Sequence, residues 1–124
     1  MDGRAQRDHD GLMDHKRLYD SASHYFDLDG DAVMKLTPKA AVDVCLAAAE
    51  RGLVIVRIEG GFWHSPGFEA RLDCIWDGAD PPLDLSRAMI NNARAAEFVQ
   101  SEQQKHDAFI ITDAPLTGYR HKQS

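Results

Sequence analysis

Residues 53–78 read LVIVRIEGGFWHSPGFEARLDCIWDG, and the fold turns on how this stretch is read. Its first part is a β-branched run in which Val54, Val56 and Ile58 fall on one side, and Leu53, Ile55, Arg57 and Glu59 on the other, the period of two of a strand. Residues 68–76 alternate again: Phe68, Ala70, Leu72, Cys74 and Trp76 face one way, and Glu69, Arg71, Asp73 and Ile75 the other. One-sided alternation marks an antiparallel sheet with one covered and one wet face, because a sheet covered on both sides reads as continuous apolar sequence. Between the two runs, GGFWHSPG is too long for a two-residue turn and is broken by Gly60, Gly61, Pro66 and Gly67. The prediction is a broad hairpin with Phe62, Trp63 and His64 in its loop.

Working outward, Thr37 and Pro38 supply an N-cap and a first-turn proline, and Gly52 supplies a helix stop, which predicts a helix over 38–51. Val42, Cys45, Leu46 and Ala49 form its apolar stripe. After the proline-broken connection DGADPPLD, Asp84 caps a second predicted helix over 84–104, with Leu85, Met89, Ala96 and Val99 as its buried stripe. A last strand at 107–112, within DAFIITDA, returns to the sheet. The expected fold is α+β: a small antiparallel sheet of about three to four strands with two main helices packed on one face. Residues 35–115 form the expected compact domain, preceded by an acidic arm over 1–34, loose or partly helical over 15–26, and followed by a tail over 116–124.

The chain has 124 residues, the size of one domain, with 44% hydrophobic and 27% charged residues, the balance of a chain that can bury a core. Its formal net charge is −6 and its pI about 5.4, which argues against a nucleic-acid footprint and suits a basic partner. No run of about 18 apolar residues and no secretory leader is legible, so no membrane partner is expected. Cys45 and Cys74 fall on predicted core stripes and are expected to stay free and inert, as suits a cytoplasmic protein.

Chemical motifs are few. DLDGD at 27–31 opens like a calcium loop, but Ala32 stands where glycine is required and Pro38 where the bidentate glutamate is required, so it reads as an acidic turn. The six histidines are scattered and the two cysteines lie far apart, so no metal site and no cofactor are expected. No strained nucleophile elbow surrounds Ser65. Two acid–base pairings can be imagined for a small enzyme, His64 with Asp73 or Glu69 and His106 with Asp107, and neither has a defined geometry in the sequence.

The wet face of the hairpin carries Arg57, Glu59, Glu69, Arg71, Asp73 and Ile75, an arrangement that a solvated face with cross-strand ion pairs would also show. Its surroundings favour binding: Trp63 and Trp76 provide aromatic anchors, and residues 69–84 hold five carboxylates against the single Arg71. The expected partner-binding residues are Trp63, His64, Glu69, Arg71, Asp73, Trp76, Asp77 and Asp80. A non-catalytic adaptor docking through an exposed strand at 107–112 is the further alternative.

The stretch LTPKAAVDVCLAAAERGLVIVRIEGGFWHSPGFEARLDCIWDG, followed by INNARAAEF and HDAFIIT, resembles the small immunity proteins of bacterial polymorphic toxin systems, including contact-dependent inhibition loci. The likeness covers about residues 35–115. It implies a cytoplasmic, non-enzymatic inhibitor of one cognate toxin domain, often a nuclease. It carries over no list of contact residues.

Overall fold

The computed structural model of the chain describes residues 13–65 and 67–118. In chain order the elements are β1 (Leu18–Tyr19), α1 (Ala22–Asp27), β2 (Lys35–Leu36), α2 (Pro38–Ala48) with a 3-10 turn over Ala49–Arg51, β3 (Leu53–His64), β4 (Gly67–Asp77), α3 (Leu85–Glu102) and β5 (Ala108–Pro115). They form an α+β fold whose open sheet runs β1-β2-β5-β3-β4. β1 and β2 pair in parallel, and every other neighbouring pair is antiparallel. Among the described residues the sheet has five strands, because β1 and β2, two residues each, add to the three legible ones. Elements so short have no periodicity to read. In the region read as a helix over 15–26, helix is confined to Ala22–Asp27.

Both main helices begin as their caps dictate. The Thr37 side chain accepts a hydrogen bond from Ala40 N at 3.2 Å, and the Asp84 side chain accepts one from Arg87 N at 2.8 Å. Gly52 ends the first helical segment in the left-handed region at φ 78°, where a Cβ would be strained. The core forms where Ile55, Ile58, Phe109 and Ile111 of the sheet meet Ala40, Ala41, Val44, Cys45 and Ala48 of α2 and Ala95, Ala96 and Val99 of α3.

The helix faces differ from the stripes read in the sequence. Leu46, Leu85 and Met89, expected to be buried, are exposed at 60%, 52% and 57%. In α2 the buried face is made mostly of alanines, which bring the helix close to its neighbours. In α3 two asparagines choose the face. Pairing of β4 with β3 ends at Arg57↔Asp77, leaving the backbone of Leu53 and Ile55 without a strand partner on that side. Asn92 Oδ1 accepts from Ile55 N at 2.9 Å, while its Nδ2 donates to Leu53 O at 3.1 Å. Asn91 Nδ2 donates to Ile55 O at 2.8 Å, and its Oδ1 accepts from Ala79 N at 2.8 Å. The helix thus replaces the missing strand, since buried backbone groups must be paired.

β4 does not keep strict alternation along its length. Glu59 pairs with Ile75, and the next pair is Gly61 with Ala70, so Gly60 alone stands opposite residues 71–74. This extended bulge breaks the alternation, turning Leu72 out to 91% exposure while Cys74 remains buried. A Cβ on Gly60 would collide with Cys74 Sγ, and one on Gly61 with the carbonyl oxygen of Glu69. Glycine is required at both positions by this close approach.

The segment ahead of Met34 contributes to the core: Tyr19 and Tyr25 are buried, as is Met34 itself. Tyr25 donates its hydroxyl to Asp113 Oδ2 at 2.6 Å, and burial, followed by that carboxylate, pushes its pKa up. The DLDGD turn is a clip onto β5: Asp31 Oδ1 accepts from Asp113 N at 2.8 Å and Ala32 N donates to Ile111 O at 2.8 Å. No described helix is long and apolar enough to cross a membrane.

Candidate partner-binding surface

The register shift in β4 divides the predicted wet face in two. Arg57, directly opposite Asp77, shares a face with Glu59 and Ile75, which also oppose each other. Arg57 Nη1 donates to Asp77 at 2.7 Å and its Nε donates to Glu59 at 3.0 Å, which raises the pKa of the guanidinium, through Glu59 first. Beyond the shift, Glu69 lies opposite Phe62 and therefore on the other face. There Glu69 holds His64 Nε2 at 2.8 Å and accepts from Arg71 Nη1 at 3.2 Å. Both contacts, His64 first, hold its carboxyl below the usual glutamate range. Arg71 also approaches Asp73 at 3.9 Å and lies 5.8 Å above the Phe62 ring.

Trp63 pairs with Phe68, and its backbone N–H is fixed by Asp107 Oδ1 at 2.8 Å, which joins the hairpin to the start of β5. Trp76 lies opposite Ile58 and packs partly buried against the core, so much of its ring is structural. Asp77 is tied to Arg57, whereas Asp80 is exposed in the connection before α3. The structure thus brings His64, Glu69, Arg71 and Asp73 together and places Asp77 on a different face. His64 and Glu69 touch, yet their side chains remain 63% and 48% exposed, an arrangement of paired surface charge rather than an enclosed site.

The strand suggested as an open edge is an inner one: β5 lies between β2 and β3. The edge strands are β1 and β4, and the bulge in β4 interrupts its free edge. Leu72 is the most exposed large apolar side chain among the described residues, although strict alternation puts it beside Cys74 on the covered face. The available signal was the glycine pair opposite it, since glycine inside a strand marks a bulge or a close approach.

A family model described as Colicin-E5 Imm protein matches residues 34–114, a span from the start of β2 through α2, the hairpin and α3 into β5. The chain is 57% identical over 107 residues to the immunity protein CdiI of Burkholderia pseudomallei, covering 86% of this chain and 98% of that protein. It is 41% identical over 80 residues to the colicin-E5 immunity protein of Escherichia coli, covering 64% of this chain and 96% of that protein. The colicin-E5 immunity protein in ColE9, also from Escherichia coli, matches over the same extent at the same identity. The matched span contains both helices that shape the core and the whole bulged hairpin, and the chain belongs to the colicin-E5 immunity protein family.

Proposed function

We propose that the chain binds a cognate toxin domain, a basic nuclease, through the outer half of the hairpin and neutralises it by covering its active site or substrate surface, without catalysing a reaction. The observation that carries this reading is the bulge. It holds Leu72 at 91% exposure between Arg71 and Asp73, in a stretch (57–80) with five carboxylates against two arginines. An apolar group presented within complementary charge is what a protein interface needs at its centre. The tip of the hairpin forms the contact surface, with His64, Glu69, Arg71 and Asp73 on one face and Trp63 on the other, the face it shares with Asp77, and the exposed Asp80 adds an acidic rim. Neutralisation takes place in the cytoplasm, where Cys45 and Cys74 stay reduced.

A second surface competes on a specific observation: Leu46, Leu85 and Met89, all exposed, line an apolar groove between α2 and α3. The test is co-expression with the toxin domain encoded beside this chain, using wild type, a Trp63→Ala/Leu72→Ser variant and a Met89→Asp variant, each shown by circular dichroism to be folded. The proposal expects loss of protection in the hairpin variant and retention in Met89→Asp. Full protection by the hairpin variant would exclude the hairpin, and failure of wild type against the neighbouring toxin would remove the immunity reading.

A further inference from the structure

Behind the bulge, Cys74 of β4, Glu102 at the end of α3 and His106 in the turn before β5 converge. We propose that these three side chains bind one divalent cation of zinc-like character, with a fourth position open to water or to a partner's ligand. The inference is independent of the toxin-binding reading. One ligand atom from each side chain lies within 4.8 Å of the other two. His106 Nδ1 is 3.2 Å from Glu102 Oε1, and Cys74 Sγ is 3.8 Å from the same oxygen. With zinc–nitrogen and zinc–sulfur bonds of about 2.0 and 2.3 Å, a tetrahedral site has ligand-to-ligand edges of about 3.3 to 3.8 Å. The side chains are therefore already near coordination distance.

A second observation points to a ligand. His106 Nδ1 is buried and has no hydrogen bond: Glu102 Oε1, though close, does not lie in its hydrogen-bonding direction. Its side chain is 8% exposed and the atom itself is closed off from the surface. When the ring proton is on Nε2, the Nδ1 lone pair is left without a donor beside a carboxylate oxygen 3.2 Å away, and a cation set off the line between the two atoms would satisfy both.

The surroundings are built for the group. Gly60 leaves space for Cys74 Sγ that any other residue would fill. Glu102 and His106 are one helical turn apart, with the His106 N–H donating to Glu102 O at 2.9 Å, and the C-terminal end of a helix favours positive charge. The Phe62 ring lies 5.2 Å from the His106 ring, while Glu102 remains 23% exposed and gives a path from solvent. On binding, the Cys74 thiol proton passes to solvent, and the sulfur–metal bond replaces the sulfur–hydrogen bond. The metal would tie the bulge to the junction of α3 and β5.

The test uses the full-length, reduced protein and cobalt(II) alone, because only a thiolate ligand produces the intense near-ultraviolet charge-transfer band of a cobalt–sulfur bond. The expected result is a saturable band at one cobalt per chain, abolished by added zinc and by Cys74→Ser, and retained in Cys45→Ser. His106→Gln should weaken binding by at least ~10–100-fold, the cost of losing even an outer-shell partner. This variant and Glu102→Gln keep the test decisive if Cys74→Ser does not fold. No band in wild type, a band that survives Cys74→Ser or is lost in Cys45→Ser, or affinity unchanged in both His106→Gln and Glu102→Gln would overturn the proposal.

Discussion

Asn92 illustrates the residue scale, where a polar group determines which face of a helix is buried. Its amide pairs with two backbone groups of β3, Ile55 N and Leu53 O, at a place where the sheet no longer supplies a partner. Replacing it with alanine leaves both unpaired. At about 1–3 kcal/mol for each stranded group, Asn92→Ala should cost a few kcal/mol in urea unfolding at unchanged slope. Asn92→Leu should do no better, although it restores an apolar stripe; stability equal to wild type in either variant would show that water replaces the amide. The thiols make a second prediction at this scale. Burial pushes Cys45 up to about 12, and burial followed by Glu102 pushes Cys74 up to about 11. Thiolate is therefore scarce at neutral pH, and alkylation should be slow until denaturant is added. Rapid labelling of either cysteine in the folded protein would contradict this. Burial of the cysteines was legible from their place among apolar neighbours. The asparagine pair was not, because asparagine is mostly exposed and only the tertiary position of the unpaired strand reverses that expectation.

At the scale of elements, caps announced the two main helices and alternation the middle of each hairpin strand, whereas register and strand ends did not follow: β3 continues through Gly60–His64, which the glycines mark as loop, and β4 begins at Gly67. Thr37, Pro38, Gly52 and Asp84 announce their roles locally, and the structure places them as caps and a stop. The bulge between Ile75 and Ala70 depends on which residue opposes which, and alternation continued through it unchanged. For that reason the face that alternation presents as continuous is divided, with Glu69 grouped with His64 rather than with Glu59. This grouping has a pH consequence. Because the folded pKa of Glu69 is depressed, by His64 first and Arg71 second, its contribution to stability is present above the usual glutamate range. It is lost as pH falls through the folded value. Carboxyl titration by NMR should place Glu69 below an ordinary glutamate, and either His64→Gln or Arg71→Met should move it upward. A midpoint unmoved by both variants would mean that the ion pairs do not persist in solution.

For the whole molecule, the proposed hairpin interface makes the net charge of −6 and the aromatic anchor separable in binding kinetics. Exposed charge acts over a distance set by ionic strength and biases the encounter, whereas apolar contact acts only after docking. Asp80 is exposed and outside the local ion-pair cluster, so reversing it changes the field with little disturbance of the fold. Asp80→Lys should slow association with the proposed basic toxin domain and flatten its dependence on salt, leaving dissociation nearly unchanged. Trp63 is partly buried beside Phe68, with its backbone held by Asp107, so its ring is offered from a rigid mount. Trp63→Ala should therefore leave association almost intact and accelerate dissociation, with a loss on the order of 2 kcal/mol, about thirtyfold in Kd, if the ring is fully desolvated in the complex. Surface plasmon resonance at several salt concentrations separates the two effects. If Trp63→Ala instead slows association in a salt-dependent way while Asp80→Lys changes only dissociation, the roles assigned to the hairpin and its acidic rim are reversed.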